Sequence, residues 1–221
     1  GHSLGEYSAL AAIGAITLDD ATTLLRLRGE AMQNAVPVGE GAMAALLGAD
    51  LDIAENIIQC SSKGEVCEIA NDNSPGQVVI SGSVTAIKRA ITISADMGVK
   101  KAVVLPVSAP FHCMMMSSAA EIMSQALAKT TIHPPLVPII ANVTAKKMTK
   151  PGEIRSLLER QITAMVRWRE TIMNMSNDGV ELVVAVGPGS ILRTLTRRID
   201  AAMSAISVGN VEQIENFLES L

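Results

Sequence analysis

The chain opens with GHSLGEYSAL, in which Ser3 stands between two glycines, Gly1 and Gly5. A serine flanked by glycines at this spacing is typical of a nucleophile elbow, a sharp strand-to-helix turn that exposes the serine hydroxyl. The motif therefore predicts an α/β fold. Because no strand precedes Ser3 and the chain lacks an initiator methionine, we expect these 221 residues to be part of a longer protein whose N-terminal portion is missing.

The composition narrows the classes of function. The formal net charge is -4 and the pI is about 5.4, which argues against non-specific nucleic-acid binding, since that needs clustered cations. The longest apolar stretches fall far short of the roughly 20 residues that cross a bilayer. The three cysteines lack C-x-x-C spacing and support neither a disulfide framework nor a zinc site. We therefore expect a globular protein of the reducing cytoplasm, with no nucleic-acid partner, no membrane anchor and no metal.

The pattern of apolar residues predicts an insertion in the middle of the chain. Two helix patterns precede a break marked by Pro37, Gly39 and Gly41, with Thr17 or Asp19 as the N-cap of the second helix. From about Gly41 to Val107 the order strand, helix, strand, strand, helix, strand favours a ferredoxin-like unit. We predict that this small subdomain, 41–107, is inserted into a large α/β subdomain formed by residues 1–40 and 108–221.

Helix and strand patterns alternate again after the insertion. We predict a helix in CMMMSSAAEIMSQALAKT, a strand in PPLVPIIANV and one long helix in PGEIRSLLERQITAMVRWRETIMNMSNDG. The stretch VELVVAVGPGSILRTLTRRI is typical of a buried strand, a glycine turn and a helix. A short strand and a closing amphipathic helix complete the prediction.

Ser3 is the first candidate for chemistry. The helix after it presents free N-terminal amides to a developing oxyanion, and the amide of Leu4 is the expected donor. A serine hydroxyl also needs a general base. Among the three histidines, we expect His2 to point away around the turn and His133 to lie in an exposed loop. His112, in VSAPFHCMMM, lies where a strand passes into a helix, and it is the candidate base against the alternative of a structural histidine.

Arg28 is the second candidate. The periodicity of the leucines in TTLLRLRGE places it near the buried side of its helix, whereas Arg26 points elsewhere and is solvated. Buried arginine is rare unless it is paired. Two interpretations stay open: an internal carboxylate pairs with Arg28, or its planar guanidinium awaits the carboxylate of a ligand.

Several stretches taken together resemble one known family. They are GHSLGEYSAL, RLRGEAMQ, GAMAALLG, NDNSPGQVVISG, LPVSAPFHCMMM, RQITAMVRW and VGPGSILRTL. In this order they are similar to the malonyl-CoA:acyl carrier protein transacylases of bacterial fatty acid synthesis, over essentially the whole chain. The resemblance implies an α/β-hydrolase-like large subdomain with the ferredoxin-like subdomain inserted.

The resemblance also implies the catalytic roles. Ser3 matches the family's nucleophile, His112 its general base, and Arg28 the arginine that binds the malonyl carboxylate. Gln161, in RQITAMVRW, matches the glutamine whose main-chain carbonyl orients the histidine.

Further matches concern the choice of acyl group. Asn73 in NDNSPGQ resembles a pocket-side asparagine that helps to position the acyl group, with Asn71 as the alternative. In related acyltransferases, a phenylalanine before the histidine and an aliphatic residue after the serine accompany malonyl rather than methylmalonyl use, and Phe111 and Leu4 fit this pattern.

The implied substrates are malonyl-CoA and the phosphopantetheine thiol of acyl carrier protein, with no cofactor, in a protein that we expect to be monomeric. The family's glutamine-bearing loop, which supplies a second oxyanion donor, is absent from this sequence. Losing such a donor costs about 10² to 10³ in turnover. We therefore expect these 221 residues by themselves to be inactive and poorly folded.

Three other interpretations stay open at the level of the sequence. A serine esterase or thioesterase needs a histidine late in the chain, and none follows His133. An acyltransferase module of a polyketide-type synthase would share the same motifs. A non-catalytic scaffold that binds a carrier protein has no reason to keep the complete set of candidate catalytic residues.

Overall fold

A computed structural model describes residues 1–220. The helices are α1 (Leu4–Ala12), α2 (Leu18–Asn34), α3 (Leu51–Ser61), α4 (Val84–Ser94), α5 (Ser117–Lys129), α6 (Pro151–Gln161), α7 (Trp168–Asn177), α8 (Ile191–Ile199) and α9 (Val211–Glu219), with a 3₁₀ turn at Met114–Met116 before α5. The strands are β1 (Gly41–Leu47), β2 (Cys67–Ser74), β3 (Gln77–Ser83), β4 (Lys101–Val104), β5 (Ile139–Ile140), β6 (Lys147–Met148), β7 (Leu182–Val186) and β8 (Ser204–Val208). This mixture confirms the α/β class. Within residues 1–220, no helix has the length and apolar character needed to cross a membrane.

The first four strands form one antiparallel sheet in the order β2-β3-β1-β4. Successive strand residues point to opposite faces, and one face, which includes Leu46 and Ile80, packs on α3 and α4. The other face presents Met43 and Val79 to Phe111. The sheet therefore has one core of its own and one face that reaches the residue before His112.

A second core lies where α1, α2, α5 and α6 meet. Its side chains are almost entirely aliphatic residues and methionine, and its members include Tyr7, Leu10, Leu24, Met32, Met116, Met123, Leu127, Met148, Ile154 and Leu158. Thr17 is the N-cap of α2, since its hydroxyl accepts from the amide of Asp20 at 3.0 Å. This packing fixes the start of α1, the middle of α2 and the end of α6 close together.

The C-terminal part is a smaller α/β unit. Strands β7 and β8 are parallel, with Leu182 opposite Ser204. They pack with α7 and α8 around Trp168, Leu195 and Met203.

The prediction of one long helix from Pro151 was wrong. Helix α6 ends at Gln161 and α7 begins at Trp168. Between them, the amide of Val166 donates to the carbonyl of Ala70 at 2.9 Å, and its carbonyl accepts from the amide of Asp72 at 3.0 Å. The edge of β2 captures this segment, so a tertiary hydrogen-bond pair overrides the helical pattern.

The strand predicted in PPLVPIIANV is mostly irregular. Only Ile139–Ile140 pairs, with Lys147–Met148. Prolines 134, 135 and 138 carry no backbone N–H, which prevents a regular ladder.

Candidate active site

Ser3 lies in a strained turn directly before α1. Its backbone has φ 47° and ψ -108°, and a positive φ is uncommon for a residue other than glycine. A Cβ on Gly1 would overlap the carbonyl of Gly5, so the first glycine of the motif allows the chain to close on itself. Strain of this kind concentrates at functional sites.

His112 lies beside Ser3. Its Nε2 is 2.9 Å from Ser3 Oγ, and its Nδ1 is 2.8 Å from the carbonyl oxygen of Gln161. Because a carbonyl only accepts, Nδ1 carries the proton and donates to it, so Nε2 has a free lone pair for the serine hydroxyl. The carbonyl is available because α6 ends at Gln161, and the last carbonyls of a helix lack helical partners. His112 also has a positive φ, 60°.

Arg28 enters the same site from α2. It is only 7% exposed, and its Nη2 donates to Ser3 Oγ at 2.9 Å and to Gln161 Oε1 at 3.0 Å. Its guanidinium carbon lies 5.8 Å from the centroid of the Tyr7 ring. No ion pair among residues 1–220 involves Arg28, and its buried Nε has no hydrogen-bond partner there. This favours the second interpretation from the sequence, a guanidinium that awaits a ligand.

The electrostatics keep His112 neutral. Burial, and then the charge of Arg28, lower the pKa of His112 from its usual value to about 3. A neutral imidazole can accept a proton, as a general base must. Burial also lowers the pKa of Arg28.

A cavity of about 310 Å³ opens onto these groups. It is lined by Ser3, Arg28, Gly29, Met32, Gln33, Phe111 and His112. The predicted nucleophile, base, arginine and phenylalanine therefore share one cavity. The volume is at the small end of the range for small-molecule sites.

The two candidate asparagines lie outside the cavity. Asn73 does not line the cavity: its Oδ1 accepts from His2 Nε2 at 2.9 Å, and so it supports the residue before Ser3. Asn71, the alternative, is 8% exposed and forms a bridge with Val166. Neither asparagine touches the cavity, because β2 presents them to the turn before Ser3 and to the α6–α7 connection.

The remaining predictions concern backbone and surface. Leu4 is the first residue of α1, so its amide has no partner within the helix. Arg26 is exposed and pairs with Glu30 at 3.0 Å, and His133 is exposed as expected. Within residues 1–220, no group of histidine, cysteine and acidic side chains could hold a metal ion.

Sequence reasoning missed a polar network beneath the turn. Asn142 Oδ1 accepts from the amide of Ser3 at 2.6 Å, and Gln161 Nε2 donates to the carbonyl of Ser3 at 3.1 Å. Glu6 Oε2 accepts from Gln161 Nε2 at 2.7 Å and from the amide of Asn142 at 3.2 Å. Burial raises the pKa of Glu6 to about 7. The available signal was a carboxylate three residues after Ser3, in the first turn of a mostly apolar helix.

Residues 1–214 match the family model described as the acyl transferase domain. The chain belongs to the acyl transferase family. The match covers every residue of the cavity and of the network beneath Ser3.

Individual acyl transferases are similar to this chain in sequence and in structure. The chain is 44% identical, over 99% of its length and 71% of the relative's, to the malonyl CoA-acyl carrier protein transacylase of Haemophilus influenzae. It superposes with TM-score 0.96 and 48% identity on the crystal structure of acyl-carrier-protein-S-malonyltransferase from Bartonella henselae, over 100% of this chain and 70% of that one. It also superposes with TM-score 0.97 and 38% identity, over 100% of this chain and 72% of that one, on a malonyl-transacylase in complex with its type II PKS acyl-carrier protein.

Proposed function

We propose that this acyltransferase moves a malonyl group from malonyl-CoA to the phosphopantetheine thiol of an acyl carrier protein, in fatty acid biosynthesis. The observation that carries the proposal is a buried guanidinium that forms no ion pair within residues 1–220 and that lines the same cavity as a serine bonded to a neutral histidine. Such a guanidinium fits a carboxylate, and malonyl is an acyl group that ends in one. The names of the similar proteins support the same substrate.

The first half-reaction loads Ser3. The malonyl carboxylate binds Arg28, and Ser3 Oγ attacks the thioester carbonyl while its proton passes to His112 Nε2. The C–S bond then breaks, and the CoA sulfur leaves with the proton from His112. The amide of Leu4, at the positive end of α1, donates to the oxyanion that forms between these events.

The second half-reaction moves the malonyl group from Ser3 to the carrier protein. The carrier's thiol gives its proton to His112 and its sulfur attacks the ester carbonyl. The bond to Ser3 Oγ breaks and the oxygen recovers the proton. Every proton and bond in the two half-reactions is accounted for by Ser3, His112 and the two thiols, so the proposed transfer uses no cofactor.

The cavity walls set which acyl group fits. Phe111 lies directly before His112 and lines the cavity, so its ring crowds an α-methyl branch and favours malonyl over methylmalonyl. Asn73 acts indirectly, because it holds His2 and with it the turn that carries Ser3.

We also infer the arrangement of the parts. The sheet of residues 41–107 with α3 and α4 is a ferredoxin-like subdomain, and 1–40 with 108–221 belongs to an α/β-hydrolase-like large subdomain. The strand order β2-β3-β1-β4 and the parallel pair β7-β8 support this division. We propose a monomer that acts in the cytoplasm on its two substrates.

The test separates transfer from hydrolysis. The protein, as its gene encodes it, is incubated with radiolabelled malonyl-CoA and then with phosphopantetheinylated carrier protein. Label that is stable on Ser3 and passes to the carrier supports the proposal. Release of free malonate before carrier is added favours a serine esterase or thioesterase, and absence of any label on wild-type protein favours a non-catalytic scaffold.

A further inference from the structure

Glu6 is a fully buried carboxylate that the proposed mechanism does not use. It is 0% exposed and lies in the first turn of α1. No ion pair within residues 1–220 includes it, and its Oε2 accepts from Gln161 Nε2 and from the amide of Asn142. A buried acidic side chain without a direct cation is rare.

The Gln161 amide stands between Glu6 and Arg28. Its Oε1 accepts from Arg28 Nη2 at 3.0 Å, and its Nε2 donates to Glu6 Oε2 at 2.7 Å and to the carbonyl of Ser3 at 3.1 Å. A guanidinium has donors only, and a carbonyl oxygen accepts only. If the amide were reversed, its NH₂ would face the donors of Arg28 and its oxygen would face two acceptors. Glu6 therefore helps to fix which end of the amide faces Arg28.

Because Glu6 acts on Arg28 only through Gln161, it does not occupy the guanidinium that lines the cavity. A direct pair between Glu6 and Arg28 would occupy the fork of the guanidinium. Through Gln161, Glu6 holds Arg28 by one donor, Nη2, and leaves the buried Nε without a partner. Ser3 and Gln161 use both hydrogens of Nη2, and Nη1, which makes no hydrogen bond within residues 1–220, remains for a carboxylate.

We propose that Glu6 is a positioning residue that sets the preference for carboxylate-bearing acyl groups, an inference that rests on the proposed function. It orients the side chain of Gln161, which in turn holds Arg28 in the cavity. Neither Glu6 nor the amide of Gln161 touches the reacting atoms, so their loss should affect the choice of thioester more than the chemistry common to all thioesters.

The measurement is the ratio of the rate constants for Ser3 acylation by malonyl-CoA and by acetyl-CoA. Glu6→Met removes both acceptor oxygens and keeps the length of the side chain, and it should lower this ratio roughly tenfold, the loss expected when the charge-assisted hydrogen bond from Arg28 to Gln161 is broken. Glu6→Gln keeps an acceptor for Gln161 and should hold the ratio within about twofold of wild type. General damage to the fold slows both thioesters alike and leaves the ratio unchanged.

Two further variants keep the test decisive. Asp72→Asn alters another buried carboxylate, which accepts from Arg169 Nε at 2.9 Å outside the cavity, and it should leave the ratio unchanged. Gln161→Met keeps the main-chain carbonyl for His112 and should lower the ratio as Glu6→Met does. Because both act through one linkage, the double variant should be no worse than Gln161→Met alone. If Glu6→Met does not fold, Gln161→Met still tests the linkage.

One set of results would overturn the role of Glu6, and a different result would overturn the proposed function. An unchanged ratio in both methionine variants, additive losses in the double variant, or a loss in Glu6→Gln equal to that in Glu6→Met would overturn the role of Glu6. Wild-type protein that takes no malonyl group would instead overturn the proposed function.

Discussion

Replacing Arg28 with methionine should remove the preference for malonyl over acetyl groups. The side chain is 7% exposed, its Nη2 is shared between Ser3 Oγ and Gln161 Oε1, and its Nη1 makes no hydrogen bond within residues 1–220. A bound carboxylate therefore gains at least one new charge-assisted hydrogen bond, worth about 1.5 to 3 kcal/mol. This corresponds to roughly a tenfold to 150-fold effect on a rate constant.

The expected result for Arg28→Met is thus a roughly tenfold to 150-fold fall in kcat/KM for malonyl-CoA. For acetyl-CoA, which has no carboxylate, kcat/KM should change by less than about threefold. Rapid-quench measurement of Ser3 acylation with each thioester gives both values. Arg26→Met is the matched control: it lies two residues away, its side chain is 83% exposed, and both rates should stay at wild-type values.

Two results would refute this reasoning. Equal losses for both thioesters would mean that Arg28 serves the nucleophile, to which it also donates, and not the carboxylate. Unchanged malonyl acylation would mean that the guanidinium of Arg28 does not bind the malonyl carboxylate.

Because the pKa of His112 is about 3, the imidazole is neutral from about pH 5 to 8. In Glu6→Gln, which removes the titration of Glu6 with its pKa of about 7, the acylation rate should therefore be flat over this range; a fall toward acid with a midpoint near 6.5 in that variant would contradict this. Phe111→Ala should raise the rate with methylmalonyl-CoA relative to malonyl-CoA by roughly tenfold, and an unchanged ratio would remove Phe111 from the choice of substrate. Leu158→Ala, in the helical core, should lower the free energy of unfolding by about 2 to 5 kcal/mol. Leu136, in contrast, is 85% exposed, and Leu136→Ala should lower the free energy of unfolding by less than about 0.5 kcal/mol. Similar losses in the two variants would contradict the assigned core.

Local signals were enough for most of the elements. The caps, glycines and apolar periods marked α2 and the strand and helix order of residues 41–107, because these signals act within a few residues. The break between α6 and α7 carries no such signal. It depends on Val166 pairing with Ala70 and Asp72, a contact between residues far apart in the chain.

The candidate site also contains some residues that the sequence could predict and others that it could not. Ser3, His112 and Arg28 could be chosen because motif, position and burial pattern mark them individually, and the structure places them in one cavity. Asn142 could not, because it bonds to the amide of Ser3 across 139 residues. Glu6 carried a weak signal, but its meaning depends on where the amide of Gln161 lies.

The central claim is that the hydroxyl of Ser3 carries the malonyl group between two thiols. Peptide mapping by mass spectrometry, after a brief exposure of the encoded protein to malonyl-CoA, tests it directly. We expect the malonyl mass on the peptide that contains Ser3, its disappearance when carrier protein is added, and no malonyl mass in Ser3→Ala. Ser190→Ala is the control, since Ser190 also follows a glycine turn and precedes a helix, and it should label like wild type. Malonyl found on any other residue, or retained after carrier protein is added, would contradict the account.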